Sequence, residues 1–165
     1  MSILQRYIGT KLINAVLMTR QHYNDFRGWQ LPADENGDDT GFLVEYLDGG
    51  KANTPQYEGY VSWSPADVFE RAYRPTEGMP FGQAIEAMKA GAKVARAGWN
   101  GAGMFAYYVP AASYPAQTGV AKAFYGEGAL VPYRAYMALK TAQGDVACWA
   151  PSGSDALADD WLIVE

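Results

Sequence analysis

The sequence predicts an α+β protein built as two small α+β units. Three observations carry that reading. Short apolar runs of strand period alternate with helical spacings, such as Phe81, Ile85 and Met88 at i, i+4 and i+7. Turns such as Asp48-Gly49-Gly50 and Gln143-Gly144 join successive strands closely enough for antiparallel pairing. The stretch Arg74-Pro75-Thr76-Glu77-Gly78 reads as a linker and divides the chain into units at 1–75 and 79–165.

The first unit opens on a strand from Tyr7 to Val16, weighted by Ile8, Leu12, Ile13 and Val16. Thr19 caps a short helix through Tyr23 and Phe26, which Gly28 ends. Leu31 to Thr40 is a polar acidic loop. A calcium loop would need Asp-x-Asn-x-Asp with its glycine and a distal Glu, and that pattern is not met, so the loop is read as solvated. Gly41–Leu47 and Tyr57–Trp63 form paired strands. Ser64 as N-cap, Pro65 at the first helical position and Asp67 in the first turn start a second helix, with Val68, Phe69 and Ala72 facing inward. The order is β-α-β-β-α. No catalytic set stands out, and the single histidine, His22, is placed on a helix surface.

The second unit turns on Met79 to Asn100. Pro80 suits a helix start, and Ala84 and Ala87 widen the apolar face of Phe81, Ile85 and Met88. Gly91 suits a left-handed stop. Ala92–Arg96 alternates as a strand, and Gly98-Trp99-Asn100-Gly101-Ala102-Gly103 makes a flexible aromatic loop that can approach a ligand closely. Met104–Pro110 is apolar on both faces and is read as a strand that is central or lies in an interface. Ala111–Leu130 reads as a long loop, Pro132–Ala142 and Val146–Ala150 as a hairpin, and Trp161–Val164 as the last strand. Between them, Ser154 or Asp155 caps a short helix whose free N–H groups would seat an anion. This unit is one helix packed on an antiparallel sheet.

The composition narrows the function. A net charge of −5 splits as 7 basic against 11 acidic residues through Gly78 and 6 against 7 after it, so neither half has the basic excess of a nucleic-acid polymer binder. No run reaches the roughly 18 apolar residues of a membrane span, and the first residues lack a signal-peptide core. A cytoplasmic protein is expected, with no membrane partner. The lone Cys148 is expected to pack beside Trp149. The second unit has no histidine, so metal-assisted hydrolysis has no ligand set there, and neither a metal nor a cofactor is expected. Aromatics make up 14% of the chain, which suits stacking surfaces or an interface.

Two sets of motifs carry resemblances. Tyr7–Lys11, Arg27–Trp29, Leu43–Tyr46 and Val61–Pro65 are similar to a small phage-associated module of unknown activity. From Met79 to Glu165, three motifs follow in order. They are Phe-Gly-Gln-Ala-Ile-Glu-Ala-Met-Lys-Ala-Gly-Ala-Lys-Val-Ala-Arg-Ala-Gly-Trp-Asn-Gly-Ala-Gly-Met, Lys-Thr-Ala-Gln-Gly and Trp-Ala-Pro-Ser-Gly-Ser-Asp-Ala-Leu-Ala-Asp-Asp-Trp. Together they resemble the second type of phage Thoeris anti-defence protein. The family's usual Ser-Gln-Thr-Asp is Ser152-Gly153-Ser154-Asp155 here, and the first unit is additional.

The resemblance implies a non-enzymatic sponge. Such a protein sequesters glycocyclic ADP-ribose, and in some members cyclic dinucleotides, and assembles as a homotetramer with sites between subunits. Holding a cyclic nucleotide needs flat faces, phosphate donors and ribose acceptors. Trp99 and Trp149 could stack a base, worth about 1–3 kcal/mol. Asn100 could read a base edge or ribose. Arg96, Arg134 and Lys140 could pair with phosphate. Ser152 and Ser154 sit at the anion seat, and Asp155 either accepts from a ribose hydroxyl or caps its helix. Met104 and Tyr107 stand between core and pocket. Trp161 is read as core, and Asp159 and Asp160 as a solvated pair. Two other readings stay open: a phosphodiesterase or glycohydrolase using Asp155 and Asp160, and a structural or adaptor protein.

Overall fold

A computed structural model describes residues 4–165. The chain divides into two compact units, one ending at Arg74 and the other running from Pro75 to Glu165. Among the described residues there are five helices and ten strands, and every strand pairing is antiparallel, so the α+β class holds.

In the first unit, β1 (Ile13–Leu17), β2 (Gly41–Tyr46) and β3 (Tyr60–Pro65) form a sheet in that order, with α1 (Arg20–Arg27) and α2 (Ala66–Ala72). Helix α1 begins as its sequence dictates: the Thr19 hydroxyl accepts the His22 N–H, and Gly28 closes the helix at φ +67°. Alternation along β2 sends Leu43 to one face, where it joins Val61 and the α1 residue Tyr23 in the core. On the other face Phe42 stacks on Phe69 of α2 at 4.0 Å between centroids. In the acidic loop Glu35 pairs with Arg20 and Asn36 bonds Asp39.

Three local expectations need correction here. Regular pairing begins at Ile13 rather than Tyr7, and Tyr7 and Ile8 lie almost fully exposed. Ser64 does not cap α2: it is held in the ladder opposite Phe42, so the strand runs through Pro65 and the helix starts with no side-chain cap. Only Phe69 of the three expected inward residues turns inward; Val68 and Ala72 are exposed.

In the second unit, α3 (Phe81–Lys89) lies over a five-stranded sheet. Its strands are β4 (Lys93–Arg96), β5 (Phe105–Val109), β8 (Tyr136–Lys140), β9 (Val146–Trp149) and β10 (Trp161–Val164), in the order β10-β4-β5-β8-β9. β5 is central, one of the two positions that its apolar faces allow. Register fixes the faces. Val94, Ala106, Leu139 and Ile163 turn toward Phe81, Ala84 and Met88 of α3 and form the core with Trp161, which is 0% exposed. Lys93, Phe105, Tyr107, Tyr136, Lys140, Val146 and Leu162 turn to the opposite face, away from α3, where Ala95 and Ala138 are buried between them. Cys148 falls on that face, opposite Ala138, and is exposed rather than packed: alternation turns it away from its neighbour Trp149.

The segment read as a long loop is a structured arm. β6 (Ala112–Pro115) pairs with β7 (Leu130–Tyr133), and α4 (Gly119–Tyr125), capped by the Thr118 hydroxyl, lies between them. The expected single strand from Pro132 therefore divides: β7 belongs to the arm and β8 to the main sheet. α5 (Gly153–Ala156) is the short helix before β10.

Candidate functional site

The loop after β4 is tied down by residues more than fifty positions away. Arg96, at the end of β4, sends Nε to Asp160 Oδ1 at 2.7 Å and Nη1 to Asp155 Oδ1 at 2.9 Å. Asp160 also accepts the Gly98 N–H at 3.0 Å, and its main-chain oxygen accepts the Ala97 N–H. Asp155 takes the indole N–H of Trp99 at 3.2 Å, and its carbonyl takes that of Trp161 at 3.0 Å. One carboxylate thus orients a loop, a helix and an indole together.

The same Asp155 closes a capping box with Ser152. The Ser152 hydroxyl accepts the Asp155 N–H, and the Asp155 carboxylate accepts the Ser152 N–H. This corrects two expectations. The cap is Ser152, not Ser154 or Asp155, and the expected anion seat is filled by the chain's own carboxylate. Burial pushes the Asp155 carboxyl up. Hydrogen bonds from Ser152, Arg96 and Trp99 outweigh it and hold the group at about 2. Asp160 is likewise held below the ordinary range, chiefly by its hydrogen bonds with Arg96. Asp160 is therefore not part of a solvated pair, though Asp159 is exposed.

Trp99, Trp149 and Trp161 meet edge to face, with centroids 5.4–6.0 Å apart, and Phe81 completes the cluster. Trp99 and Trp149 are half-buried against the core, while Asn100 beside them is exposed. Met104 is half-buried. Arg134 stands exposed between β7 and β8, and Ser154 is exposed on α5. The structure thus gathers Arg96, Trp99, Trp149, Ser152 and Asp155 around one network.

Tyr107 lies elsewhere. β4 and β5 meet at the single registered pair Val94–Ala106, and a shallow pocket of about 280 Å³ opens beside them. Phe105, Tyr107 and Val146 line it from the sheet face turned away from α3, and Met88 and Tyr108 from the helix side. Lys93 and Lys140 flank it. Lys93 Nζ lies 5.6 Å from the Phe105 ring centroid and bonds the Glu165 main-chain oxygen, while Lys140 bonds the Gly103 carbonyl at 3.1 Å. Neither lysine is paired with a side-chain carboxylate among the described residues; the partners of both are main-chain oxygens. Sequence reasoning missed Lys93 here. The signal was its place in Lys93-Val94-Ala95-Arg96, where alternation puts it opposite Arg96.

The domain from Met79 onward is of the phage anti-defence class. Residues 79–164 match the family model of the Thoeris anti-defense 2-like domain, about half of the chain, and the chain belongs to that family. The curated Thoeris anti-defense 2 protein of Bacillus phage SP01 is 37% identical over 87 residues, which is 52% of this chain and 94% of that relative. The first unit lies outside the matched range.

Proposed function

We propose that the chain is a phage-encoded immune-evasion protein. It binds a cyclic nucleotide signal, of the glycocyclic ADP-ribose type or a cyclic dinucleotide, and withholds it from Thoeris defence without cleaving it. The single observation that carries this reading is the pocket beside β4 and β5. Two ammonium groups without side-chain carboxylate partners flank it, with Phe105 and Tyr107 on one side and Tyr108 on the other. Such a ligand has the matching chemistry: phosphates for the lysines and a planar base for the rings. Arg96 is less suited to a phosphate, because two carboxylates already hold its guanidinium. The exposed Asn100, beside half-buried Trp99, offers a second place where a base or ribose could be read.

The assembly proposed with this function is a homotetramer. Its support is the sheet face turned away from α3, on which Tyr136 is 39% and Val146 57% exposed beside the half-buried Phe105, Tyr107 and Leu162. A second copy of the chain is the occupant that would bury these apolar side chains.

Calorimetric titration of glycocyclic ADP-ribose and of cyclic dinucleotides into the full chain tests the reading. Saturable binding to the wild type, weakened at least roughly tenfold by Lys93→Ala with Lys140→Ala, is expected. Loss only on Trp99→Ala with Asn100→Ala would move the site to the aromatic loop. No binding of any of these ligands would overturn the function.

A further inference from the structure

The first unit carries a device that does not depend on the reading above. Its sheet has two edges, and they are treated differently. Along β3 the Asn53 side chain acts as a substitute strand: its amide donates to the Val61 carbonyl at 2.9 Å and accepts the Val61 N–H at 2.8 Å. Pro65 at the end of β3 has no N–H to offer. That edge is plugged.

β1 is bare. Ile13-Asn14-Ala15-Val16-Leu17 contains no charge and no proline, the usual means of blunting an edge. Val16 is 47% and Leu17 69% exposed. The outward groups can be identified. Met18 donates its N–H to Gly41 across the ladder, so by alternation Asn14 and Val16 also bond toward β2, and Ile13, Ala15 and Leu17 point their N–H and C=O groups away from the sheet.

We propose that β1 pairs with β1 of a second copy of this chain, antiparallel about a two-fold axis at Ala15, joining two three-stranded sheets into one of six. The outward groups are symmetric about Ala15, which is what an isologous contact demands. Ala15 meets Ala15, the smallest side chain of the strand at the axis. Ile13 meets Leu17 and Leu17 meets Ile13, so apolar side chains cover apolar side chains. Asn14 meets Val16. All three outward residues of each strand then exchange both bonds with their opposites. Because the span is uncharged, the acidic chain brings no like charges face to face along the seam.

Two measurements on the full chain decide it. In the wild type, the amides of Ile13, Ala15 and Leu17 exchange at least roughly tenfold more slowly than the exposed loop amides of Ala33 and Asp34. Exchange at the loop rate overturns the pairing. In a Cys148→Ser background, Ala15→Cys oxidises to a covalent dimer, since directly opposed Cα atoms about 5.5 Å apart suit a disulfide. Val68→Cys, on exposed α2, is the control and forms little. Equal crosslinking of the two variants, or none at Ala15→Cys, overturns the two-fold contact even if the amides are protected.

Discussion

Asp155 Oδ1 accepts from Arg96 Nη1 at 2.9 Å across 59 positions of sequence, and the same oxygen accepts from the Trp99 indole. The pair fastens the aromatic loop after β4 to the short helix before β10. Removing the carboxylate leaves a half-buried guanidinium with one partner, frees an indole N–H and opens a capping box. Asp155→Ala should therefore destabilise the second unit by about 2–3 kcal/mol, and Asp155→Asn by less. Urea titration followed by tryptophan fluorescence measures this. Asp159→Ala, on an exposed neighbour, should change stability by no more than about 0.5 kcal/mol.

The same carboxylate sets an acid limit. Its pKa in the folded protein, about 2, lies below the value of about 3.9 in an unfolded chain. A depressed carboxyl contributes stability that is present above the unfolded value and is lost as pH falls through the folded one. The second unit should lose on the order of 1–2 kcal/mol between pH 4 and 2, and Asp160, depressed in the same direction, adds to the loss. In Asp155→Asn the slope of stability against pH in this window should flatten. An unchanged slope would show that other groups carry the acid sensitivity.

Trp161 is fully buried and touches Phe81, Trp99 and Trp149. Trp161→Ala removes the centre of that cluster and the indole bond to the Asp155 carbonyl, with an expected cost of about 3–5 kcal/mol. Chemical denaturation reads it directly. Exposed Trp29 in the first unit should tolerate the same change at far smaller cost.

In the first unit, a Cβ at Gly41 would overlap the Ser64 carbonyl oxygen and the Trp63 ring, neither of which can withdraw without parting β2 from β3. Gly41→Ala should therefore destabilise that unit by more than about 2 kcal/mol, whereas Gly82→Ala, which meets open space on helix α3, should be neutral or slightly stabilising. Thermal melts of the two variants separate the cases.

Much of the fold was legible because its signals are local. Thr19 and Gly28 bracket α1, Phe81, Ala84 and Met88 mark the buried stripe of α3, and the two-faced apolarity of β5 allowed its place at the centre of its sheet. The arm was not legible. Val120 and Phe124 of α4 are 83% and 80% exposed, so α4 has no buried stripe to set its period, and its Gly- and Ala-rich flanks read as loop. Ser64 carried a capping signal that ladder pairing overrode. At the candidate site the residue types were visible, but their partners were not. Nothing near Arg96 points to Asp155 or Asp160, and the cap signal of Ser154 and Asp155 gave no sign that the chain geometry would choose Ser152. Lys93 was hidden for a simpler reason: its role depends on which face of β4 the helix covers.

The central claim is sequestration without cleavage, and the most direct measurement follows the ligand itself. Full-length protein is mixed with glycocyclic ADP-ribose, and free nucleotide is quantified by chromatography before and after heat denaturation. The account predicts depletion on mixing and full recovery of the unaltered nucleotide on heating. A new product would make the protein an enzyme, and an undiminished free pool, with cyclic dinucleotides equally untouched, would contradict the claim outright.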